Sequence, residues 1–406
     1  MNNLSRQKAQ LAKQLVYSSD PQRDEVVVVA VSEYGRDIAE MVMAECEVRG
    51  AKVFLDTNAF YENPRIINDM SLDKLDEFAK EKLEKYEGAK KTIKILNNTD
   101  PKLTQLIDME RWTYWQKLIR PLQKRIMNGD LFYTLTVLPT VIDAELDGVD
   151  FDEYVQLFFE LCNQPWKQIE IAQDRLIEGF DKARQVRITN NDGTDVTFEI
   201  DGFTFVNSVV AKNIPGAEIF SAPNRTGVNG RIVAKGKFQE GSSGVIEDIT
   251  LEFKDGRIVD FAAARGQGDL SDLITVDDLL GEGTRYLGEL GIGTNPHLRQ
   301  HVINGLLVEK IGGSFHVALG NAYQYTEYCG RKVNLDNGNR STTGVHWDLT
   351  TMLRDKEGRM YLDDKVVQAN GDWLGEEFEV LNKGWGAVSQ NEQPDWWQTK
   401  FEHGYN

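Results

Sequence analysis

Two of the five histidines in this chain sit in short β-like runs whose neighbouring side chains are small or acidic. In "EKIGGSFHVALGNAY", residues 309–323, strand alternation puts Phe315, Val317 and Leu319 on one face and His316, Ala318 and Gly320 on the other. The imidazole therefore shares its face with groups too small to fill the space beside it. In "TTGVHWDLTTM" the same alternation sends Val345, Trp347 and Leu349 to the core and leaves His346 with Asp348 on the opposite face. A His-x-Asp pair on one strand face converges on a point, which is the geometry of a divalent-metal chelate. The plainer alternative for either histidine is a core imidazole that has found a partner.

Two acids stand apart from the many in the chain. Glu218 in "NIPGAEIFSAP" is embedded in a short apolar strand between Pro215 and Pro223, and Glu289 in "LGELGIGTNP" precedes a glycine-rich turn. The alternative for each is an exposed acid on an edge strand or loop. Gly288, Gly291 and Gly293 do not form GxGxxG after a strand, and GxxxxGK[ST] does not occur, so phosphate binding is not expected. GxSxG, HExxH and DFG do not occur either, which leaves serine hydrolases, zincins and kinases without a foothold.

The elements that must position these residues fall into two halves of different texture. "VVVVAV" at 26–31 suits a strand buried on both faces; a helical period over "GRDIAEMVMAECEVRG" and the strand "AKVFLD" complete a βαβ unit. "SLDKLDEFAKEKLEKYEG" reads as helix, "KTIKIL" and "LFYTLTVLPT" as strands, and helix continues to about residue 184. Beyond it, Asp192-Gly193 and Asp255-Gly256 between alternating segments signal hairpins, and "RMYLDDKVVQANGDWL" supplies a third. The expected fold class is α/β: an N-terminal α/β domain with a mostly parallel sheet over 1–184, then a largely antiparallel α+β metal-binding domain over 185–406.

Composition narrows the partners. The net charge of −18, from 46 basic and 64 acidic residues, argues against nucleic acid and anionic membrane, because binding phosphates requires a basic surface. Cys46, Cys162 and Cys329 are far apart and form no CxxC, so neither a disulfide framework nor a thiolate metal site is indicated and a reducing cytoplasmic compartment is expected. The N-terminal stretch is a polar amphipathic helix, and no run approaches the ~18 apolar residues of a membrane span, so the chain is expected to be neither secreted nor anchored.

Taken together, "NIPGAEIFSAP", "LGELGIGTNP", "EKIGGSFHVALGNAY" and "GVHWDL", in this order and at these separations, resemble the aminopeptidase T family of cytosolic metalloaminopeptidases. The opening βαβ segment is similar as well, so the resemblance covers nearly the whole chain. By this resemblance Glu218, Glu289, His316, His346 and Asp348 fall on the family's metal ligands, with Glu289 as the bridging carboxylate, and Tyr323 matches its active-site tyrosine. The family's acidic ligand about five residues before the first histidine has no counterpart, since Ile311 stands there; Glu309 is the acid expected to serve in its place.

The resemblance implies two divalent cations (Zn, Co or Mn) sharing a water roughly 3.5–4 Å between metals, with Glu218 or Glu289 as general base. It implies that Tyr323 donates to the tetrahedral oxyanion, a contribution on the order of 10²–10³ in rate. It also implies peptide substrates with a free N-terminus and a homodimer. Asn207 and Asn321 are candidates for positioning, and Trp396 and Trp397 in the aromatic tail for docking on a subunit surface. The alternative function is a mononuclear non-heme iron ring-cleaving dioxygenase, which resembles the same fold and needs only His316, His346 and Asp348. A catalytically silent binding protein on a peptidase fold is the third reading.

Overall fold

The structure is a computed structural model that describes residues 3–57, 64–97, 108–127, 129–209, 212–239, 244–279 and 281–393. The chain forms two compact units, one of residues 1–163 with 210–215, the other of residues 164–209 with 216–406.

In the first unit the β-branched run forms β1 (Val26–Val31), buried along almost its whole length. β2 (Lys52–Asp56) and β3 (Ala89–Asn97) pair with it in parallel on either side, and β4 (Phe132–Leu138) joins β3, giving the order β2-β1-β3-β4. Parallel pairing requires crossovers, supplied here in part by the helices Arg36–Val48 and Leu72–Lys85. Their ends follow local chemistry. The Ser71 hydroxyl accepts the Lys74 N–H to start one helix, and a reciprocal Thr140–Asp143 capping box starts Val141–Asp147.

The second unit holds β5 (Gln185–Thr189), β6 (Asp195–Glu199), β7 (Val206–Ser208), β8 (Glu218–Ser221), β9 (Val228–Phe238), β10 (Ile246–Lys254), β11 (Arg257–Arg265), β12 (Leu287–Gly293), β13 (Ser314–Gly320), β14 (Glu327–Tyr328), β15 (Arg331–Lys332), β16 (His346–Met352), β17 (Arg359–Leu362), β18 (Lys365–Ala369) and β19 (Asp372–Trp373). An eight-stranded antiparallel sheet runs β11-β10-β9-β6-β5-β17-β18-β19, and a five-stranded one runs β16-β13-β12-β8-β7. The hairpin signals correspond to real turns: Asp255 and Gly256 between β10 and β11 both take positive φ, 50° and 80°, as a type I′ turn demands. The mixed α/β class and the change from parallel to antiparallel sheet are as expected.

The helical stretch before residue 184 is two helices, Phe151–Cys162 and Trp166–Phe180, separated at Pro165. The expected boundary after residue 184 groups both with the first domain. In the structure the second helix belongs to the second unit, because it packs against β7 and β8 and buries Ile169, Leu176 and Phe180 there. No described helix is long and apolar enough to cross a membrane. Trp396 and Trp397 lie outside the described residues.

Candidate metal centre

Register in the five-stranded sheet decides which side chains meet, because residues directly opposite on paired strands point to the same face. Gly293 of β12 lies opposite Glu218 of β8. Glu289 and Gly291 of β12 lie opposite Ala318 and His316 of β13. Ala318 and Gly320 of β13 lie opposite Asp348 and His346 of β16. Following the pairs across four strands puts Glu218, Glu289, His316, His346 and Asp348 on one face, with Gly291, Gly293, Ala318 and Gly320 leaving the room between them.

The expected glycine-rich turn after Glu289 is absent: residues 287–293 are one strand, buried at every position. Its glycines provide clearance. A Cβ at Gly291 would lie 2.0 Å from Nε2 of His316, and one at Gly288 would lie 2.2 Å from the Asn321 carbonyl oxygen. Nor are Glu218 and Glu289 exposed acids, being only 5% and 3% accessible.

The groups converge closely. One ligand atom each from Glu289, His316 and Asp348 lies within 4.8 Å of the other two. His316 Nε2 is 3.5 Å from Glu289 Oε1 and 3.6 Å from Glu218 Oε2. His346 Nε2 is 3.0 Å from Glu289 Oε2 and 3.7 Å from Asp348 Oδ2. The other ring nitrogen of His346, Nδ1, bonds the Asn321 carbonyl oxygen at 2.7 Å, which turns Nε2 toward the acids. Electrostatics follow the packing. Burial disfavours the charged rings, but the surrounding carboxylates outweigh it, carrying His316 up to about 9 and His346 to about 10. Burial likewise opposes ionised Glu289, yet the two imidazoles beside it bring it down to about 2.

Lys310, which sequence reasoning passed over, is fully buried and extends Nζ to Glu218 Oε1 at 2.6 Å and to Glu309 Oε2 at 2.8 Å. The available signal was a basic residue inside the apolar run "LLVEKIGG"; a lysine enclosed by such neighbours needs an acid. Glu309, at the end of the short helix Gly305–Val308, is thus brought beside the cluster, and its charge helps push the buried Asp348 carboxyl up. The Tyr323 ring lies 4.9 Å from that of His346 and stacks on Tyr325. Of the two amides, Asn207 donates to Asp174 and Asn321 Oδ1 accepts the Ser341 N–H. Neither amide group is aimed at the acids; only the Asn321 carbonyl serves the centre. Trp347 is buried, as alternation requires. It also lines a cavity of about 190 Å³ with Phe238, Val302, Val308, Glu309 and Asp348, which opens beside His346.

The donor set fits a divalent cation. Glu218 Oε2, His346 Nε2 and Asp348 Oδ1 are buried without a hydrogen-bond partner. The 3.0 Å approach of Glu289 to His346 does not meet the angular requirement of such a bond. Buried polar atoms left unpaired are costly, and imidazole with carboxylate is a donor set for a divalent metal ion.

The statistical model of the Peptidase_M29 family, described as thermophilic metalloprotease (M29), matches residues 4–373. Aminopeptidase 2 of Geobacillus stearothermophilus is 35% identical over 130 residues, 31% of this chain and 28% of that protein. Aminopeptidase AmpS of Bacillus subtilis is 33% identical over 126 residues, 30% of this chain and 29% of that one. Aminopeptidase T of Thermus thermophilus is 28% identical over 169 residues, 40% of each chain. The matched segments therefore span less than half the length of these relatives. Among solved structures, wild-type AmpT from Thermus thermophilus superposes with a TM-score of 0.72 at 19% identity, covering 91% of this chain and all of that one. A 2,5-dihydroxypyridine dioxygenase from Pseudomonas putida KT2440 gives 0.53 at 16% identity, covering 93% and 100%. At these identities the two likenesses show the fold alone.

Proposed function

The chain belongs to the Peptidase_M29 family of metalloproteases, and from that premise we propose that it is a metal-dependent aminopeptidase, a hydrolase releasing the N-terminal residue of peptides. The observation that carries this reading is the convergence of Glu289, His316 and Asp348, with His346 and Glu218 beside them, on one enclosed sheet face. A divalent cation held by Glu289, His316, His346 and Asp348 would supply Lewis acidity and lower the pKa of a water.

The remaining steps belong to the chain's own groups. Glu218 Oε2 has no hydrogen-bond partner, whereas Oε1 is fixed by Lys310. The free oxygen is placed to take a proton from an attacking water and return it to the leaving amine. Tyr323 donates to the carbonyl oxygen as it becomes tetrahedral. A peptide N-terminus is largely ammonium at pH 7, and Asp348 and Glu309 on the cavity wall offer it carboxylates. Its side chain enters among Phe238, Val302, Val308 and Trp347. The cavity volume favours a first residue of moderate size.

This reading has the chain working as a homodimer in the cytoplasm with zinc, cobalt or manganese; these rest on the family resemblance. The resemblance also implies a second divalent cation that shares Glu289 with the first, with Glu309 as the acid expected to complete its ligands. A ring-cleaving dioxygenase is the second reading, since His316, His346 and Asp348 form a two-histidine, one-carboxylate set. It gives Glu218 and Glu289 no task.

Purified protein supplied in turn with Zn²⁺, Co²⁺ and Mn²⁺ is expected to release the first residue from dipeptides or aminoacyl p-nitroanilides. Glu289→Gln is expected to abolish release while the circular dichroism spectrum stays native. No release with any of the three metals overturns the reading, and one bound iron with oxygen uptake replaces it with the dioxygenase.

A further inference from the structure

We propose that Asn339, in the loop between β15 and β16, is the residue that positions His346 and Tyr323; this rests on the reading of the site as a metal centre. The link is the main chain that leaves β13. The Asn321 carbonyl orients His346 Nδ1, and the Asn321 N–H donates to the Val345 carbonyl at 2.8 Å, one residue before His346. Asn321 therefore grips the start of β16 with both of its backbone groups. Asn339 in turn holds the chain on either side of Asn321. Its Nδ2 donates to the Gly320 carbonyl, and its own carbonyl accepts the Ala322 N–H at 3.2 Å. Tyr323 follows directly on that second bond.

The rest of the Asn339 side chain is committed as well. It is fully buried, and Nδ2 also faces the carbonyls of Gly283 at 2.8 Å and Tyr286 at 3.2 Å. Oδ1 accepts Nε of Arg225 at 3.0 Å, and that guanidinium lies 3.7 Å from the centre of the Tyr286 ring. A carboxamide brings two N–H donors and a neutral acceptor to one point, which is what three segments of chain meeting here require. Close backbone contact leaves them no slack. A Cβ at Gly283 would lie 1.9 Å from the Arg340 carbonyl oxygen, and one at Gly320 would lie 2.2 Å from that of Val345. A shift of the loop is therefore passed on to Asn321. Other bonds hold the loop's far end: the Ser341 N–H donates to Asn321 Oδ1 at 2.8 Å, and the Thr342 hydroxyl donates to the buried Asp277 carboxylate. Loss of the Asn339 amide should thus leave the fold in place and loosen the peptide that aims His346.

Metal affinity reports the placement of His346 without reference to turnover. In calorimetric titration of stripped protein with Zn²⁺, Asn339→Ala is expected to bind on the order of 10–100-fold more weakly than wild type, the usual loss when an outer partner of a ligating histidine is disturbed. At saturating zinc its kcat on an aminoacyl p-nitroanilide should fall while KM changes little. Leu251→Ala, which removes a buried side chain from β10, is the control for lost stability alone and should keep wild-type affinity. Wild-type affinity in a natively folded Asn339→Ala, or an equal loss in Leu251→Ala, overturns the proposal while leaving the metalloaminopeptidase reading intact. A wild type that binds no zinc removes the metal centre, and this role with it. Should Asn339→Ala fail to fold, Asn339→Ser, which keeps one donor, takes its place with a smaller loss expected, and unchanged affinity there refutes the positioning.

Discussion

His346 shows how little freedom a single side chain keeps at this centre. Its Nδ1 is held by a backbone carbonyl, its ring lies against Tyr323, and Nε2 is left facing Glu289 and Asp348. Orientation by an outer partner of this kind fixes the tautomer that presents Nε2 as a ligand. Tyr323 is held in turn, between the His346 ring and Tyr325 and with its edge against Phe220. Removing only its hydroxyl should therefore leave the packing in place. Tyr323→Phe is expected to lower kcat by about 10²–10³ with KM little changed, the loss typical of one oxyanion donor. Steady-state kinetics on an aminoacyl p-nitroanilide check this, and an unchanged kcat would assign the tyrosine to packing. The histidines and their neighbouring acid were legible in the sequence because alternation fixes the face of each, whereas this tyrosine was indicated only by the family resemblance. Lys310 was not legible, since a charge that is buried because of partners distant in sequence looks like any other lysine.

At the scale of elements, the five-stranded sheet makes the centre by omitting side chains as much as by placing them. β12 reads "LGELGIG", and without the partner strands its glycines look like a turn. In the sheet, Gly291 faces His316, and the absent Cβ is the space the imidazole occupies. Gly291→Ala is expected to destabilise the second unit by roughly 1–3 kcal/mol, the usual cost of overpacking, and to weaken metal binding as the ring is displaced. Gly268→Ala is the control. It lies in the helix Gln267–Thr275, where an added Cβ meets nothing within 4 Å, so no loss of stability is expected. Thermal unfolding of both variants with and without zinc tests the pair; equal midpoints would mean that the sheet yields at Gly291. The hairpins at Asp255-Gly256 and Asn370-Gly371 were open to sequence reasoning, or nearly so, because their backbone angles are set by the two residues themselves.

At the scale of the whole molecule, each unit buries charge in its own way. In the first, Asp56 at the end of β2 is buried against Lys82 at 2.8 Å, Lys85 at 3.7 Å and the Tyr86 hydroxyl at 3.1 Å. Burial opposes the ionised carboxylate, but these partners outweigh it and hold Asp56 below its ordinary 3.8. A carboxyl whose pKa is depressed by folding stabilises the fold fully above the unfolded value, and that contribution is lost as pH falls through the folded value. Asp56→Ala is accordingly expected to cost about 3–5 kcal/mol at pH 7, the penalty for stranding a buried partner. The difference from wild type should shrink as the pH drops below ~4. Denaturant titrations at pH 7 and pH 3.5 measure it, and a constant difference would mean that the carboxylate's charge contributes nothing.

The sequence by itself determined whatever rests on neighbours along the chain. That includes the parallel first sheet from its β-branched run, the hairpins from their turn residues, the face on which each histidine stands, and the family from four short motifs. Only the tertiary structure decided that the glycines after Glu289 run through a strand, that the helix Trp166–Phe180 belongs to the second unit, and that Lys310 ties Glu218 to Glu309. The physical reason is range. Dihedral preference and alternation act over a few residues, whereas strand register and the pairing of a buried charge depend on groups brought together from tens of residues apart.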